Sequence, residues 1–570
     1  MSYDLVIRGG TIVDGSGREG YVSDIGIQGD RIAEIGRIAS RGNEEIDAEG
    51  HIVSPGFIDG HTHFDAQVNW DPLGTSSCWH GVTSVVMGNC GFSLAPCRSD
   101  EHALVVRNLE RAEDISASAM AQGITWSWES YPQYLDALEK LPKGINYAGY
   151  VGHSALRTWA MGASAFEKQA SEGDLKLMQE QLRAALKAGA IGFSTSRSNN
   201  HETSDDRPVA SRLASWDEVR RLVGTMGEMG TGVFEISNEF DTRSDDPIAR
   251  AESHGRLRDL AVETGIPVTF GIVTGMSPLR EVKRDFLNLL DSTAAAGGTM
   301  FGQTHSRDVT VLLSFRTNLP FDKLPMWKEL RAKPLAEQAK MLRDPATKAK
   351  LVDIAINGPY GRSIGVEARK PDWNNIKLFD TPLPPHATVA ELATLRGTDP
   401  VSVMIDLSLE SDFTCFFLQF LAAEDPEGTL EILRHPRTVM TFSDTGAHVS
   451  QISDCSIQTH MLGWWVRERQ AFTMEQAIRM MTSSLATYWG FKGRGLLREG
   501  NIADINVFDA KRIGPKLPQV VEDLPGGSKR LIQRSDGFRA TVIAGQVVIS
   551  EGEHTGALPG QVLRGAMARQ

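Results

Sequence analysis

The chain is poor in cysteine, with five in 570 residues, an odd number without a close pair. A disulfide framework needs an even number of cysteines at short spacings, so the sequence excludes the disulfide-rich secreted folds. Reduced thiols in the cytoplasm are the simpler interpretation. A cysteine with a special role would act as a metal ligand or as a packing residue.

Long apolar runs and clusters of positive charge are also absent. No apolar stretch reaches the roughly 18 residues that a membrane-spanning helix needs. The start, MSYDLVIRGG, has neither a basic segment before an apolar core nor a small-residue cleavage site, so we expect a cytoplasmic protein without a signal peptide. The formal net charge of −13 opposes binding to a phosphate backbone. We therefore expect neither a membrane nor a nucleic acid as partner.

Both ends of the chain contain short runs of alternating apolar and polar residues, separated by Gly-Asp punctuation that indicates turns. Four such runs, YDLVIRG, TIVDG, DIGIQGD and RIAEIG, occur near the start, and similar runs return only in residues 501–509 and 539–548. These patterns predict antiparallel strands. We expect residues 1–55 and 485–570 to form one small composite β-sandwich.

The middle of the chain alternates apolar strand patterns with amphipathic helix patterns, which is typical of βα units around a parallel sheet. The eight strand candidates are residues 56–63, 82–88, 145–153, 190–196, 231–237, 267–273, 298–305 and 438–444. Eight such units predict an α/β fold, a (β/α)8 TIM barrel over residues 56–484, with its active site at the carboxyl ends of the strands.

Residues from about 306 to 436 do not follow this alternation. They contain charged helical stretches, such as residues 333–356, and a Pro-rich joint, TPLPP, at residues 381–385. We expect an insertion after the seventh strand that packs over the barrel mouth, where long insertions usually serve function.

The first strand of the eight carries the clearest chemical signal. The motif FIDGHTHFD, residues 57–65, is an apolar strand that ends in His61 and His63. In a strand, positions i and i+2 point to the same side, so both imidazoles can reach one ion. We predict that both bind a divalent metal. The alternative is two unrelated polar residues at a strand end.

The motif FIDGHTHFD resembles that of the amidohydrolase superfamily, whose barrels begin with such an HxH strand and end with an aspartate after strand eight. The segment TFSDTGAH, residues 441–448, supplies that aspartate as Asp444. More narrowly, the chain is similar to the N-acyl-D-amino-acid deacylases, the D-aminoacylases, in IVSPGFIDGHTHFDAQVNWDP, GVTSVVMGNCGFSLAP and SDTGAH, and the similarity extends over nearly the whole length. The resemblance implies a metal-dependent amidohydrolase.

The chemistry of amide hydrolysis gives Asp444 a role. An amide is a poor electrophile, so a metal must activate water and polarise the carbonyl. A carboxylate beside that water can accept its proton and deliver it to the leaving nitrogen. We predict that Asp444 is this general base and also contacts the metal, whereas the alternative is an aspartate that caps a turn.

Cys90 follows the second strand in the motif MGNCG. In the deacylases the matching cysteine binds metal, and a thiolate suits zinc held together with imidazoles. The resemblance therefore implies that Cys90 is a ligand, although composition alone favours a packing cysteine.

The chain departs from the deacylase pattern after strands five and six, where those enzymes have histidines and this chain has GVFEIS and VTFG. No lysine occurs between Lys187 and Lys283, so the carboxylated lysine that bridges two metals in many superfamily relatives has no counterpart either. We therefore expect about one ion per chain, most simply zinc. Glu235 could be a substitute oxygen ligand or a salt-bridge residue at the core edge.

The simplest metal site combines the residues singled out above, namely His61, His63, Asp444 and Cys90. Five other polar residues follow predicted strands and are candidates for binding substrate. These residues are His153, His201, His305, Arg197 and Arg307. A guanidinium can bind a carboxylate through two hydrogen bonds, as an N-acyl amino acid requires. The alternative is a polar rim, with arginines paired to carboxylates of the protein.

The leading hypothesis is hydrolysis of a linear amide, that of an N-acyl amino acid or a related small N-acyl compound. One alternative is a cyclic amidohydrolase that opens a hydantoin-like or lactam ring, and another is a non-catalytic scaffold that works by association. A purified protein that holds no stoichiometric ion after exposure to metal would favour the scaffold. The acyl group, the preference for D or L substrates and the oligomeric state stay open, and a homo-oligomer is one option.

Overall fold

The computed structural model describes residues 3–237, 239–274, 280–361, 369–421, 424–452 and 454–566. The strands are β1 (Tyr3–Ile12), β2 (Tyr21–Gln28), β3 (Arg31–Gly36), β4 (Gly42–Asp47), β5 (Ile52–Pro55), β6 (Phe57–Asp59), β7 (Val82–Met87), β8 (Asn146–Gly149), β9 (Val151–Gly152), β10 (Gly192–Thr195), β11 (Val233–Ile236), β12 (Val268–Gly271), β13 (Met300–Thr304), β14 (Thr310–Leu313), β15 (Ile376–Phe379), β16 (Phe416–Phe420), β17 (Thr438–Met440), β18 (Ile505–Phe508), β19 (Gly514–Pro515), β20 (Gln519–Leu524), β21 (Ser528–Ile532), β22 (Ser535–Asp536), β23 (Phe538–Ile543), β24 (Gln546–Ser550) and β25 (Glu553–His554).

Helices connect most of the central strands. They are α1 (Phe64–Gln67), α2 (His102–Leu109), α3 (Ala117–Gly123), α4 (Tyr131–Lys140), α5 (His153–Met161), α6 (Glu172–Ala188), α7 (Trp216–Met229), α8 (Pro247–Thr264), α9 (Arg280–Ala295), α10 (Pro325–Arg331), α11 (Leu335–Arg343), α12 (Pro345–Asn357), α13 (Val389–Arg396), α14 (Pro400–Glu410), α15 (Pro426–Arg434), α16 (Ile457–His460), α17 (Met474–Met481) and α18 (Ser483–Trp489). A search of the described residues finds none of these helices long and apolar enough to span a bilayer.

The two ends of the chain meet in one nine-stranded sheet with the order β25-β24-β23-β18-β5-β1-β2-β3, in which β4 also pairs with β1. The junction is the antiparallel pair of β18 and β5, where Ile505 lies opposite Pro55. One face of the sheet buries a cluster of β-branched side chains that includes Ile7, Ile25 and Val507. Because such side chains pack well on a pleated surface, they hold the first and last segments together.

The central strands are parallel and form two sheets, β6-β7-β8 and β9-β10-β11-β12-β13-β17. Each of the eight predicted strand segments contains an observed strand, and the third contains both β8 and β9. Backbone hydrogen bonds join the sheets on both sides, from Ile191 N to Gly149 O (3.0 Å) and from Asp444 N to His61 O (3.2 Å). The predicted α/β class is therefore confirmed.

The helix α6 shows how sequence and packing agree in a central βα unit. Leu175 and Leu182 are buried on its inner face, and burying each leucine contributes roughly 1.5–3 kcal/mol. Ser171 caps its start by accepting a hydrogen bond from Asp174 N. Gly189 follows its last turn with φ of 119°, a left-handed conformation that glycine adopts without steric cost.

The insertion after β13 has a core of its own. It contains the antiparallel strands β14, β16 and β15 in that order and the helices α10 to α14. Trp327, Leu351 and Phe417 belong to its buried cluster. Residues 362–368 and 422–423 of the predicted insertion lie outside the described residues.

Candidate active site

Four predicted metal ligands converge at the carboxyl ends of the parallel strands. Asp444 Oδ1 lies 3.2 Å from His61 Nε2 and 3.4 Å from His63 Nε2. Cys90 Sγ lies 3.4 Å from the same nitrogen of His61. His61 and His63 follow β6, Cys90 follows β7, and Asp444 follows β17. The structure therefore brings together residues from opposite ends of the sequence.

Local structure directs these side chains toward one point. His61 Nδ1 lies 2.6 Å from Gln303 Oε1, so it donates to that oxygen and leaves Nε2 free for the centre. Cys90 and Asp444 adopt left-handed backbone conformations, with φ of 56° and 52°. Such values are uncommon for residues other than glycine and often occur at functional sites.

Buried polar atoms at this centre lack hydrogen-bond partners among the described residues, namely both ring nitrogens of His63 and Oδ1 of Asp444. Leaving such an atom unsatisfied costs roughly 1–3 kcal/mol, more for a charged group. Donor atoms about 2.1 Å from a tetrahedral ion lie roughly 3.4 Å apart, close to the separations found here. Two imidazoles, a carboxylate and a thiol therefore fit a divalent metal such as zinc.

Further carboxylates surround the centre. Glu235 Oε2 accepts a hydrogen bond from Cys90 N (2.8 Å), and Asp65 Oδ2 accepts one from Gly88 N (2.9 Å). Burial raises the pKa of Glu235 and that of Asp65 to about 7 each. Burial also opposes the ionisation of Asp444, but its close contacts with the two imidazoles outweigh burial and hold its pKa well below the usual value.

The centre lies in a cavity of about 480 Å³. Five residues of the insertion form part of the cavity wall. They are Val309, Val311, Asn318, Arg369 and Leu421. A cavity of this size accepts a small organic molecule, and most of the residues that line this one are polar or charged, with apolar side chains such as Val309 and Phe442 among them.

A family model described as the amidohydrolase family matches residues 44–549, which is most of the chain. The chain belongs to the amidohydrolase family.

Characterised relatives align with this amidohydrolase over nearly its whole length. It is 29% identical over 577 residues to the D-aminoacylase of Alcaligenes xylosoxydans xylosoxydans, covering 98% of this chain and 97% of the relative. It is 30% identical over 521 residues to the N-acyl-D-glutamate deacylase of the same organism, covering 90% and 88% of the two chains. The predicted membership of a D-aminoacylase-like family and the predicted enzyme acting on carbon–nitrogen bonds are confirmed.

A solved structure of a deacylase has the same overall fold as this chain. The N-acyl-D-glutamate deacylase of Bordetella bronchiseptica, complexed with zinc and a phosphonate inhibitor, superimposes on this amidohydrolase with a TM-score of 0.65 at 25% identity. The superposition covers 99% of this chain and 100% of the other. The overall path of the chain is therefore that of the relative.

Two of the predicted substrate-binding residues line the cavity of the amidohydrolase. His305 follows β13, and neither of its buried ring nitrogens has a hydrogen-bond partner among the described residues. Its Nδ1 lies 3.6 Å from Asp454 Oδ2. His201 Nδ1 lies 2.6 Å from Ser196 Oγ. The geometry therefore leaves His305 available to a ligand.

The other three predicted substrate-binding residues are absent from the cavity wall as formed by the described residues. Carboxylates of the protein contact each of them. These contacts are His153 Nε2 with Glu218 Oε1 (2.9 Å), Arg197 Nε with Glu239 Oε2 (2.8 Å), and Arg307 with Asp454. This geometry matches the alternative interpretation, in which these side chains pair with carboxylates of the protein. Their binding of substrate stays an untested prediction.

Three further polar residues lie at the site and were not predicted from the sequence. Glu113 Oε2 lies 3.5 Å from His63 Nε2 and 3.7 Å from His448 Nε2. Arg243 lines the cavity with its Nε buried and unpartnered, and burial alone lowers its pKa to about 10, so it stays charged at neutral pH. His448 lies inside the SDTGAH motif and could have been found there. Glu113 and Arg243 lie in loops that no local pattern marks.

Proposed function

We propose that this amidohydrolase is a metal-dependent deacylase that hydrolyses the linear amide bond of an N-acyl amino acid or a related small N-acyl compound. The observation that carries the proposal is the contact of Asp444 Oδ1 with both His61 Nε2 and His63 Nε2, inside a cavity of small-molecule size. The names of the aligned relatives, D-aminoacylase and N-acyl-D-glutamate deacylase, support the same bond type.

We propose that His61, His63, Cys90 and Asp444 hold about one divalent ion, most simply zinc. The donor atoms of the first three lie within 4.8 Å of one another. When bound, the ion acts as a Lewis acid toward the substrate carbonyl and lowers the pKa of water. Glu235 supports this site through the backbone of Cys90, and direct ligation by Glu235 stays a prediction.

The side chains of the protein then move the proton and hold the substrate. Asp444 contacts both imidazoles of the centre, and in its ionised form the carboxylate can accept the proton of the attacking water and deliver it to the leaving nitrogen. His305 has unpartnered ring nitrogens and can donate a hydrogen bond to the carbonyl oxygen. The tautomer that donates this bond carries its proton on the nitrogen that faces the substrate, and Asp454 Oδ2 lies 3.6 Å from Nδ1 without a hydrogen bond to it.

Arg243 provides a cation for a carboxylate of the substrate. Burial is the cause of its shifted pKa, and no carboxylate pairs with it among the described residues. A guanidinium without a partner in a partly apolar cavity favours an anionic ligand. Val309, Val311 and Leu421 line the same cavity and can contact an apolar acyl group.

We further propose that the two parallel sheets are arcs of one (β/α)8 barrel over residues 56–484. The hydrogen bonds between Ile191 and Gly149 and between Asp444 and His61, which join the arcs on both sides, support this proposal. Residues 1–55 and 485–570 would form the accessory β domain, as the pairing of β5 with β18 supports.

A substrate panel tests the proposed activity. Protein reconstituted with zinc, manganese or cobalt is assayed against N-acyl-D- and N-acyl-L-amino acids, their methyl esters, hydantoins and lactams. We expect hydrolysis of the linear amides and weaker activity on the esters, which lack the carboxylate. Turnover of the cyclic amides alone would identify a cyclic amidohydrolase. Absence of both turnover and stoichiometric metal would leave the non-catalytic scaffold.

A further inference from the structure

Glu113 lies at the proposed metal centre, and among the described residues no lysine or arginine forms a salt bridge with it. Its side chain is 2% exposed, and its Oε2 lies 3.5 Å from His63 Nε2. The other oxygen, Oε1, is buried and has no hydrogen-bond partner among the described residues. Such a carboxylate is costly to bury unless a cation or several donors compensate it.

The segment that carries Glu113 is fixed to the segment that follows β17. Backbone N of His448 donates to the carbonyl oxygen of Glu113 (2.5 Å). The next residue, Asp114, accepts hydrogen bonds from Ser450 Oγ (2.6 Å) and Gln451 Nε2 (3.2 Å). The backbone at Glu113 is therefore held against residues 448–451, next to the centre.

Acidic side chains cluster around the two imidazoles. Asp444 Oδ1 lies 3.4 Å from His63 Nε2 and Glu113 Oε2 lies 3.5 Å from the same nitrogen. Glu235 accepts a hydrogen bond from the backbone of the neighbouring Cys90. A divalent ion beside His63 would compensate the charge of ionised carboxylates in this cluster.

We propose that Glu113 is an oxygen ligand of the metal centre and that His448, 3.7 Å from its Oε2, is a positioning residue that orients it. This inference rests on the proposed function. Glu235 is held differently, since its Oε2 already accepts a hydrogen bond from Cys90 N. Glu113 thus supplies an oxygen donor to the centre. The chain lacks the bridging lysine of many superfamily relatives and the histidines that the deacylases have after strands five and six.

The direct test is a crystal structure of the zinc-loaded wild-type protein with anomalous scattering at the zinc edge. We expect a Glu113 oxygen about 2.0–2.2 Å from the ion. A fully occupied ion at His61 and His63 whose distance from both Glu113 oxygens exceeds roughly 3 Å would overturn the inference. This measurement does not depend on any variant being folded.

Variants give an independent test in solution. Zinc affinity is measured by competition with a chelator, and cobalt-loaded protein is compared by visible absorption. Glu113→Gln should weaken zinc binding at least about tenfold and change the cobalt spectrum, because a charged ligand is lost. Glu110→Gln, the same charge change three residues earlier, should keep zinc affinity within about twofold. Equal zinc affinity and equal cobalt spectra in Glu113→Gln and wild type would overturn the inference. A loss of zinc affinity in Glu235→Gln but not in Glu113→Gln would also overturn it.

The role of His448 has its own signature. His448→Gln, whose amide can still donate to Glu113, should keep more zinc affinity than His448→Ala. Equal losses in both, with unchanged cobalt spectra, would remove His448 as a positioning residue. Wild-type protein that binds no zinc would defeat the proposed function itself, whereas zinc-binding wild type with an unaffected Glu113→Gln would defeat only this inference.

Discussion

His61 and Asp444, from the first and the last central parallel strands, are joined twice. Asp444 N donates to His61 O (3.2 Å), and Asp444 Oδ1 lies 3.2 Å from His61 Nε2. The backbone contact that links the two strand ends therefore lies next to the contact between the proposed base and a proposed metal ligand. The proposed chemistry thus depends on the same junction as the fold.

Removing either histidine of the HxH motif should abolish activity and lower bound metal. His61→Ala and His63→Ala each leave too few donors for a tightly held ion. Elemental analysis of the purified variants measures the loss. His254→Ala is the control, because this histidine lies on α8 and contacts Thr242 O (3.1 Å). Full metal content in both HxH variants would contradict the assignment.

Asp444→Asn should lower kcat by roughly 10²–10⁴, because the amide keeps the shape of the side chain but cannot accept a proton. Thermal stability should change far less than kcat. Metal content is measured in the same sample, since an Asn variant that has lost its ion would make Asp444 chiefly a ligand. Near-normal turnover with full metal would move the base elsewhere, with His305 as the next candidate.

Arg243 and Arg197 should behave differently when each is changed to methionine. Arg243→Met removes a cavity cation that has no carboxylate partner among the described residues, so KM for N-acyl amino acids should rise about tenfold or more while stability is kept. Arg197→Met leaves the buried Glu239 carboxylate with only the more distant Arg256 (3.9 Å), so the melting temperature should fall while KM of the folded enzyme is kept. Steady-state kinetics and thermal unfolding separate the two, and the reverse pattern would restore Arg197 as the substrate-binding residue.

Stability should depend on pH through Glu218, which contacts Arg157 Nη1 (2.6 Å) and His153 Nε2 (2.9 Å). Burial opposes its ionisation, but these partners outweigh it and lower its pKa from 4.5 to about 2. A lowered folded-state pKa stabilises the fold above pH 4.5, and that stabilisation is lost as the pH falls toward 2.

Glu218→Gln tests this pair in metal-free protein. The variant should be less stable by roughly 3–5 kcal/mol at neutral pH, because Arg157 keeps its burial and loses its carboxylate. Its stability should also vary less than that of wild type between pH 4.5 and about 2. Parallel unfolding curves for the two proteins across that range would contradict the prediction.

Much of the fold and part of the site were predictable from periodicity. The two-residue spacing of His61 and His63 places both imidazoles on one side of a strand end, and the structure has them there. All eight strand segments contain strands because short apolar runs bounded by turn residues are strong local signals. Asp444 and Cys90 came from motifs rather than from periodicity.

The remaining site residues depend on long-range packing. Strand order predicts which end of the sheet holds Arg197 and Arg307, but it does not tell whether a guanidinium meets substrate or a carboxylate of the protein. Glu113 and Arg243 reach the cavity along loops whose paths are set by contacts with distant segments, such as that of Glu113 with His448. No pattern within a few residues encodes those contacts.

Titration of metal-free protein with zinc decides whether one ion at this centre drives hydrolysis. A chelator removes bound metal, and hydrolysis of an N-acyl amino acid is followed as zinc is returned while bound zinc is measured in parallel. We expect no activity without metal and a linear recovery that saturates at about one equivalent per chain. Full activity in the metal-free protein would contradict this expectation, and recovery that requires two equivalents would contradict the single-ion centre.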